Sequence, residues 1–216
     1  LAISARVRPR PQKTYRRTSR PLVTEVVIED LTEFRIRGLF SPEAEAPFLE
    51  TVQTLRALAR DPEVQAVLLN FRTSEMGWAQ ANELRQEIEN LKAANKRVYA
   101  WFSFADTRTY TVISAANKRF VAPAGGVLLT GLEALSLHIG ALLDRFGVKA
   151  EFVGTGPFKT APETFTRRGP SPASDLVQNS LLDDLYGHVT ADIAQSTGMN
   201  IAEVKERIDE GTYTAK

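Results

Sequence analysis

Apolar residues fall along this chain in two rhythms. Compact runs at Val23–Ile28, Val64–Phe71 and Val98–Phe104 predict strands. The second of these, VQAVLLNF, is the pattern of a strand buried on both faces of a parallel sheet. Phe34, Ile36 and Leu39 predict a further strand, and shorter ones are expected at Arg119–Val121, Val127–Leu129 and Ala150–Val153. Between the runs, apolar residues recur at helical spacing. Ser41-Pro42-Glu43 reads as a helix start, with Phe48, Val52, Leu55 and Leu58 on one face and Asp61-Pro62 as the stop. A second helix is predicted from Trp78 to about Ala94, with Leu84, Ile88 and Leu91 inward. Shorter helices are predicted around Tyr110–Ala116, Leu137–Phe146 and Ile201–Asp209. A long one runs from Ser174 to Thr197, with Val177, Leu181, Leu185, Val189 and Ile193 at four-residue steps. Pro123-Ala124-Gly125-Gly126 reads as a turn, and residues 154–172 as a loop punctuated by Gly and Pro. Strands alternating with amphipathic helices argue for an α/β fold with a mainly parallel sheet.

Charge divides the chain. Residues 1–20 hold seven Lys or Arg and no acid, whereas the whole chain of 216 residues has a net charge of +1. Residues 1–21 are therefore expected to form a flexible basic arm ahead of a mildly acidic body at 22–216. Such an arm suits contact with an anionic membrane surface; no nucleic acid partner is expected, and a solvated tail is the bland reading. Removing it is expected to leave the fold stable. The chain has no cysteine, which excludes disulfides, thiol catalysis and Cys-ligated metals. It starts at Leu1 rather than Met, so an upstream signal or anchor is expected.

Candidate chemistry is sparse. The GxSxG, Walker, GxGxxG and HExxH patterns are all absent. His138 and His188 sit on helical patterns and read as packing or surface residues. Asp183-Asp184 reads as a solvated helix face, and Glu163 is a lone loop carboxylate. No metal site and no cofactor are expected. The segment Gly154-Thr155-Gly156-Pro157-Phe158-Lys159-Thr160-Ala161-Pro162 stands apart, because it puts one lysine after a predicted strand, among small residues and an aromatic. A lysine works as a general base only when its amine is kept neutral. That needs a shift from about 10.4 toward 7–8, or roughly 4 kcal/mol of desolvation. An exposed loop lysine is the alternative.

Three stretches carry a family resemblance. They are VQAVLLNFRTSEMGWAQANELRQEIENLKAANKRVYA, TYTVISAANKRFVAPAGGVLLTGLEAL and VKAEFVGTGPFKTAPETFTRRGPSPAS. Their order resembles the signal peptide peptidase A family, membrane-associated Ser/Lys peptidases of the ClpP/crotonase-like fold. The resemblance covers about Val23–Lys216. It implies a serine nucleophile activated by lysine, with Lys159 at the lysine position and Thr160 in place of the commoner serine. Ser103 falls at or beside the nucleophile position. There Phe102 and Phe104 flank it, Asp106-Thr107-Arg108 replaces the small residues of the helix start, and the oxyanion turn is reduced to Thr73-Ser74-Glu75-Met76-Gly77. Ser103 is therefore expected to be a buried or capping serine.

The resemblance thus implies the lysine-bearing, amino-terminal half of a tandem enzyme. Residues 209–216 resemble a passage that stops mid-motif. Implied partners are signal peptides or other membrane-associated peptides, a carboxy-terminal half or neighbouring subunit that supplies the serine, and further copies in a homo-oligomer. Trp78, Phe158 and Phe165 are candidate contacts for assembly. The alternatives are a non-catalytic assembly module of the same fold and a crotonase-type acyl-CoA enzyme. No acidic pair is placed for the proton abstraction that the latter needs.

Overall fold

The structure is a computed structural model that describes residues 22–33, 35–36, 44–72, 75–153, 156 and 158–215. The expected basic arm and the expected helix start at Ser41-Pro42-Glu43 lie outside these residues. The chain divides into two compact units, one of Leu1–Thr130 with Ala191–Lys216 and the other of Gly131–Thr190.

The first unit is built on a five-stranded sheet in the order β1-β4-β5-β6-β7. Strands β1 (Leu22–Ile28), β4 (Val64–Phe71), β5 (Arg97–Asp106) and β6 (Lys118–Leu128) run parallel, and β7 (Thr212–Thr214) pairs antiparallel with β6. The fold is α/β with a mainly parallel sheet, as the alternation of runs predicts. In the centre, Ala66 and Val67 are both buried although successive side chains point to opposite faces. Both sides of the sheet are therefore covered, and a continuous apolar run is what such a strand requires.

Two short strands, β2 (Arg35–Ile36) and β3 (Ala44–Glu45), pair separately. Because Ala44–Glu45 is extended, helix α1 begins later than expected, at Pro47, and runs to Arg60. Proline suits its first turn, where an amide hydrogen would lack a helical partner. The predicted inner face holds, with Val52 and Leu55 buried and Phe48 and Leu58 half-buried against the core. Helix α2 (Trp78–Ala93) buries Leu84, Ile88 and Leu91, and packs beside α1 and α3 (Thr107–Ser114).

The sheet departs from expectation at β6. The Pro123–Gly126 segment, expected as a turn between two short strands, lies within one extended strand. The turn residues are absorbed by an irregularity of register. Phe102 faces Val121, yet Phe104 faces Gly126, so residues 122–125 bulge out of the ladder. The bulge accommodates Pro123, which has no ladder hydrogen to donate. Gly125 lies so close to β5 that a β-carbon there would overlap the Ser103 carbonyl oxygen. Helix α7 (Ile201–Glu210) forms as predicted, capped by Asn200 and Glu203 in a reciprocal pair.

Two further corrections fall in the second unit. The helix expected at Leu137–Phe146 contracts to α4 (Gly140–Arg145). The strand expected at Ala150–Val153 does not form, and no strand occurs among the described residues of this unit. A strand needs a neighbour to satisfy its backbone groups, and none is provided here. The expected loop contains a single-turn helix, α5 (Glu163–Thr166). Long helix α6 (Pro172–Thr197) follows, but its apolar row is only partly covered. Val189 and Ile193 are buried, whereas Val177 and Leu181 are exposed.

Candidate active site

Ser103 lies inside β5, three residues before the strand ends, with its residue exposed. It is neither buried nor a cap, contrary to expectation. The cap is Asp106, whose carboxylate accepts the Thr109 N–H at 2.8 Å and starts α3. The reason is strand parity. Phe102 and Ala105 turn into the core, and the register irregularity leaves Ser103 and Phe104 both outside.

Thr73 and Ser74 of the expected oxyanion turn lie outside the described residues, and its last residues are already committed to other bonds. The Gly77 N–H, a candidate oxyanion donor, gives its hydrogen to Gln80 Oε1 at 2.7 Å. Gln80 is itself buried and donates through Nε2 to the Leu31 carbonyl at 2.6 Å. Arg108 donates through Nη1 to the Met76 carbonyl, and its guanidinium lies 4.8 Å from the Trp78 ring centroid in a cation–π contact. Trp78 is thus half-buried and engaged within the unit. An oxyanion hole needs donors about 3 Å from the developing charge. Gly77 does not offer one in this state.

Lys159 belongs to the second unit. It is exposed, in a loop preceded by Gly156 at φ +92°, a conformation that favours glycine. Phe158 beside it is also exposed. The apolar screening that a lysine base needs is therefore not supplied by this aromatic neighbour. The loop is tied at its base. Phe152 and Phe165 stack with centroids 5.8 Å apart, bracketing residues 153–164. Ile139 N–H donates to the Thr164 carbonyl and Gly140 N–H to the Arg167 carbonyl. Gly140 suits this approach, since a β-carbon there would stand 2.6 Å from the Arg167 oxygen.

Glu163 has a role that its position in the sequence hides. Its carboxylate accepts the Ser171 hydroxyl at 2.6 Å and the Ser171 N–H at 2.9 Å. Ser171 Oγ in turn accepts the Ser174 N–H at 3.1 Å, capping α6 ahead of Pro172. The Ser171 hydroxyl and amide, together with the charges of Arg167 and His138, hold the Glu163 carboxyl below its ordinary range. The signal for the cap lies in the Ser171-Pro172 pairing. His188 pairs with Asp184 at 3.6 Å on an exposed helix face. No group of three or more potential metal ligands occurs among the described residues. An apolar cavity of about 160 Å³ in the first unit, lined by Tyr110, Leu129, Ile193, Val204 and Tyr213 among others, includes neither Ser103 nor Lys159.

The family model for peptidase family S49 matches residues 90–216, more than half the chain. The chain belongs to peptidase family S49. Among its relatives, the chloroplastic serine protease SPPA of Arabidopsis thaliana is 24% identical over 82% of this chain and 25% of its own length. Protease 4 of Salmonella typhi is 23% identical over 66% of this chain and 23% of its own length. The S49 chain thus spans about a quarter of the length of these curated relatives. Among solved structures, an enoyl-CoA hydratase from Bacillus halodurans aligns over 84% of this chain and 92% of its own at 10% identity. The TM-score of that alignment is 0.33. No helix among the described residues is long and apolar enough to cross a membrane.

Proposed function

We propose that this chain is the lysine-bearing part of a Ser/Lys peptidase that cuts signal peptides or other short membrane-associated peptides. Lys159 is the general base, and a carboxy-terminal half or a neighbouring copy supplies the serine. The observation that carries the reading is the S49 match, which runs through the Lys159 loop. The committed Gly77 donor and the Arg108 contact support a nucleophile from elsewhere rather than Ser103.

In this mechanism the neutral Lys159 amine takes the proton of the incoming serine hydroxyl. The serine oxygen bonds to the peptide carbonyl carbon, and the resulting ammonium returns the proton to the leaving amine as the C–N bond breaks. Water then attacks the acyl ester as the same amine takes its proton, and the ammonium returns that proton to the serine oxygen as the ester C–O bond breaks. Because Lys159 is exposed, the surface that brings the serine must also exclude water from the amine. Exposed Phe158 and Phe165 in the same unit suit such a covering surface. Membrane association is part of the proposal, through the basic arm and an upstream anchor.

Arginine cannot replace the base, because a guanidinium does not deprotonate at working pH. In the full-length protein, Lys159→Arg is expected to abolish peptide hydrolysis across pH 6–10 while assembly persists. Activity near that of the wild type would instead favour a non-catalytic assembly module, a reading that the water-exposed lysine keeps in view.

A further inference from the structure

The Lys159 loop carries its reactive group at an exposed tip, yet its base is fastened at several points. A base must meet its proton within hydrogen-bond reach. An exposed lysine has a long, mobile stem, so the backbone beneath it decides where the amine can go. One tie to that backbone is electrostatic. Glu163, four residues after Lys159, takes two hydrogen bonds from Ser171, and Ser171 also caps the 26-residue helix α6.

We propose that Glu163 and Ser171 form a clasp that positions the Lys159 loop, with Glu163 a positioning residue for the base. The inference rests on the proposed role of Lys159. The chain of restraint can be followed atom by atom. Glu163 N–H donates to the Thr160 carbonyl at 2.9 Å, so the residue after Lys159 is bonded directly to the clasp residue. Lys159 N–H closes onto the Gly156 carbonyl at 3.4 Å on the other side. The carboxylate then passes the restraint through Ser171 to a helix too long to follow the loop's motion. A charged acceptor with two donors makes stronger bonds than a neutral one. Arg167 and His138 are the charged or titratable groups that act on the same carboxylate, and both favour its ionised form. The clasp thus keeps Glu163 occupied with Ser171, leaving the loop lysine to face outward.

The test uses the full-length protein with Glu163→Gln, Ser171→Ala and Ser171→Thr. Amide hydrogen exchange over residues 158–167 reads the loop without reference to activity, and kcat and KM on a signal-peptide substrate read the base. Glu163→Gln and Ser171→Ala are expected to speed exchange and lower kcat about tenfold, with KM within about twofold. Small misplacements of reacting groups cost rates of this order. Ser171→Thr keeps the hydroxyl and is expected to restore both readouts. Unchanged exchange in both loss variants overturns the clasp. Faster exchange with unchanged kcat overturns its positioning role, as does Ser171→Thr failing like Ser171→Ala. If Lys159→Arg retains activity, the base assignment falls, while the exchange result still decides whether the clasp holds the loop.

Discussion

The two units handle apolar side chains in opposite ways. In the first, Ile28, Val67, Leu69, Ile88 and Val98 are at most 1% exposed, and the sheet closes over them with helices. In the second, Leu135 is 90% exposed, and Leu137, Phe146, Phe152, Val153 and Phe158 all stand out to solvent. Soluble surfaces seldom present so many large apolar groups without a purpose. Most large hydrophobic residues of the first unit hold the fold, with Phe104 and Phe120 among the exposed exceptions, whereas in the second unit many more stand in solvent. The same contrast separates the two candidate residues: Ser103 is built into a sheet strand, and Lys159 is displayed on a tied loop.

The largest effect that could break this comparison is a cavity. Ile88→Ala should lower unfolding free energy by about 2–5 kcal/mol, since it empties a sealed site. Val153→Ala, on a fully exposed side chain, should change it by no more than about 0.5 kcal/mol. Denaturant titration of both variants would show whether the units differ as described; equal losses would contradict it.

Next in size is the polar brace of the first unit. Buried Arg85 donates to the Thr111 and Asp192 carbonyls and to the Ser114 and Ser196 hydroxyls, and pairs with Asp192 Oδ1 at 3.2 Å. Arg85→Ala would take one donor from each of these acceptors, although the Thr111 carbonyl would keep the Ser114 hydroxyl at 2.8 Å. A loss of about 3 kcal/mol is expected, at the low end for a buried pair because Asp192 is 34% exposed. Thermal melting would check it.

A smaller effect, confined to the second unit, is acid loosening at Glu163. Its folded-state carboxyl is held below the ordinary value of 4.5. Its contribution is therefore complete above that value and is lost as pH falls through the lower folded-state value. Exchange protection around 163–174 should drop on acidification in the wild type, and Glu163→Gln should flatten that dependence. The smallest expected effect is that of Ser103→Ala on peptide hydrolysis by the full-length protein, which should be none. A loss of activity would move the nucleophile into the first unit.

The first unit was largely legible in the sequence. Val64–Phe71 is apolar enough to demand a strand covered on both faces, Val98–Phe104 buries alternate residues as a strand does, and the regular face of Trp78–Ala93 marks a helix packed inward. What misled there was local. Pro123 and Gly125 are turn residues by chemistry, but the bulge opposite Ser103 gives them a place within a strand. Thr212–Thr214 is only three residues long, and its pairing with β6 comes from far along the chain. In the second unit, hydrophobicity predicted a strand that did not form and a helix longer than the one observed. An apolar run such as Ala150–Val153 records a need for burial without naming what provides it. Lys159 is proposed as the base from the family resemblance and its Gly-containing loop, whereas the tie through Glu163 and Ser171 joins residues eight apart that no short pattern connects.

The Gly77–Gln80–Leu31 relay and the Arg108 contact also bear on how this end of the sheet could change over evolutionary time. Gln80→Ala would release the Gly77 hydrogen but leave the buried Leu31 carbonyl without that donor. Arg108→Gly would open space but remove the donor to Met76 and uncover Trp78. Each step leaves a polar group unmatched, at about 1–3 kcal/mol when buried, before any catalytic gain arrives. If the serine comes from elsewhere, as proposed, both costs stand between this arrangement and one in which Ser103 attacks a carbonyl, unless stability is gained elsewhere first.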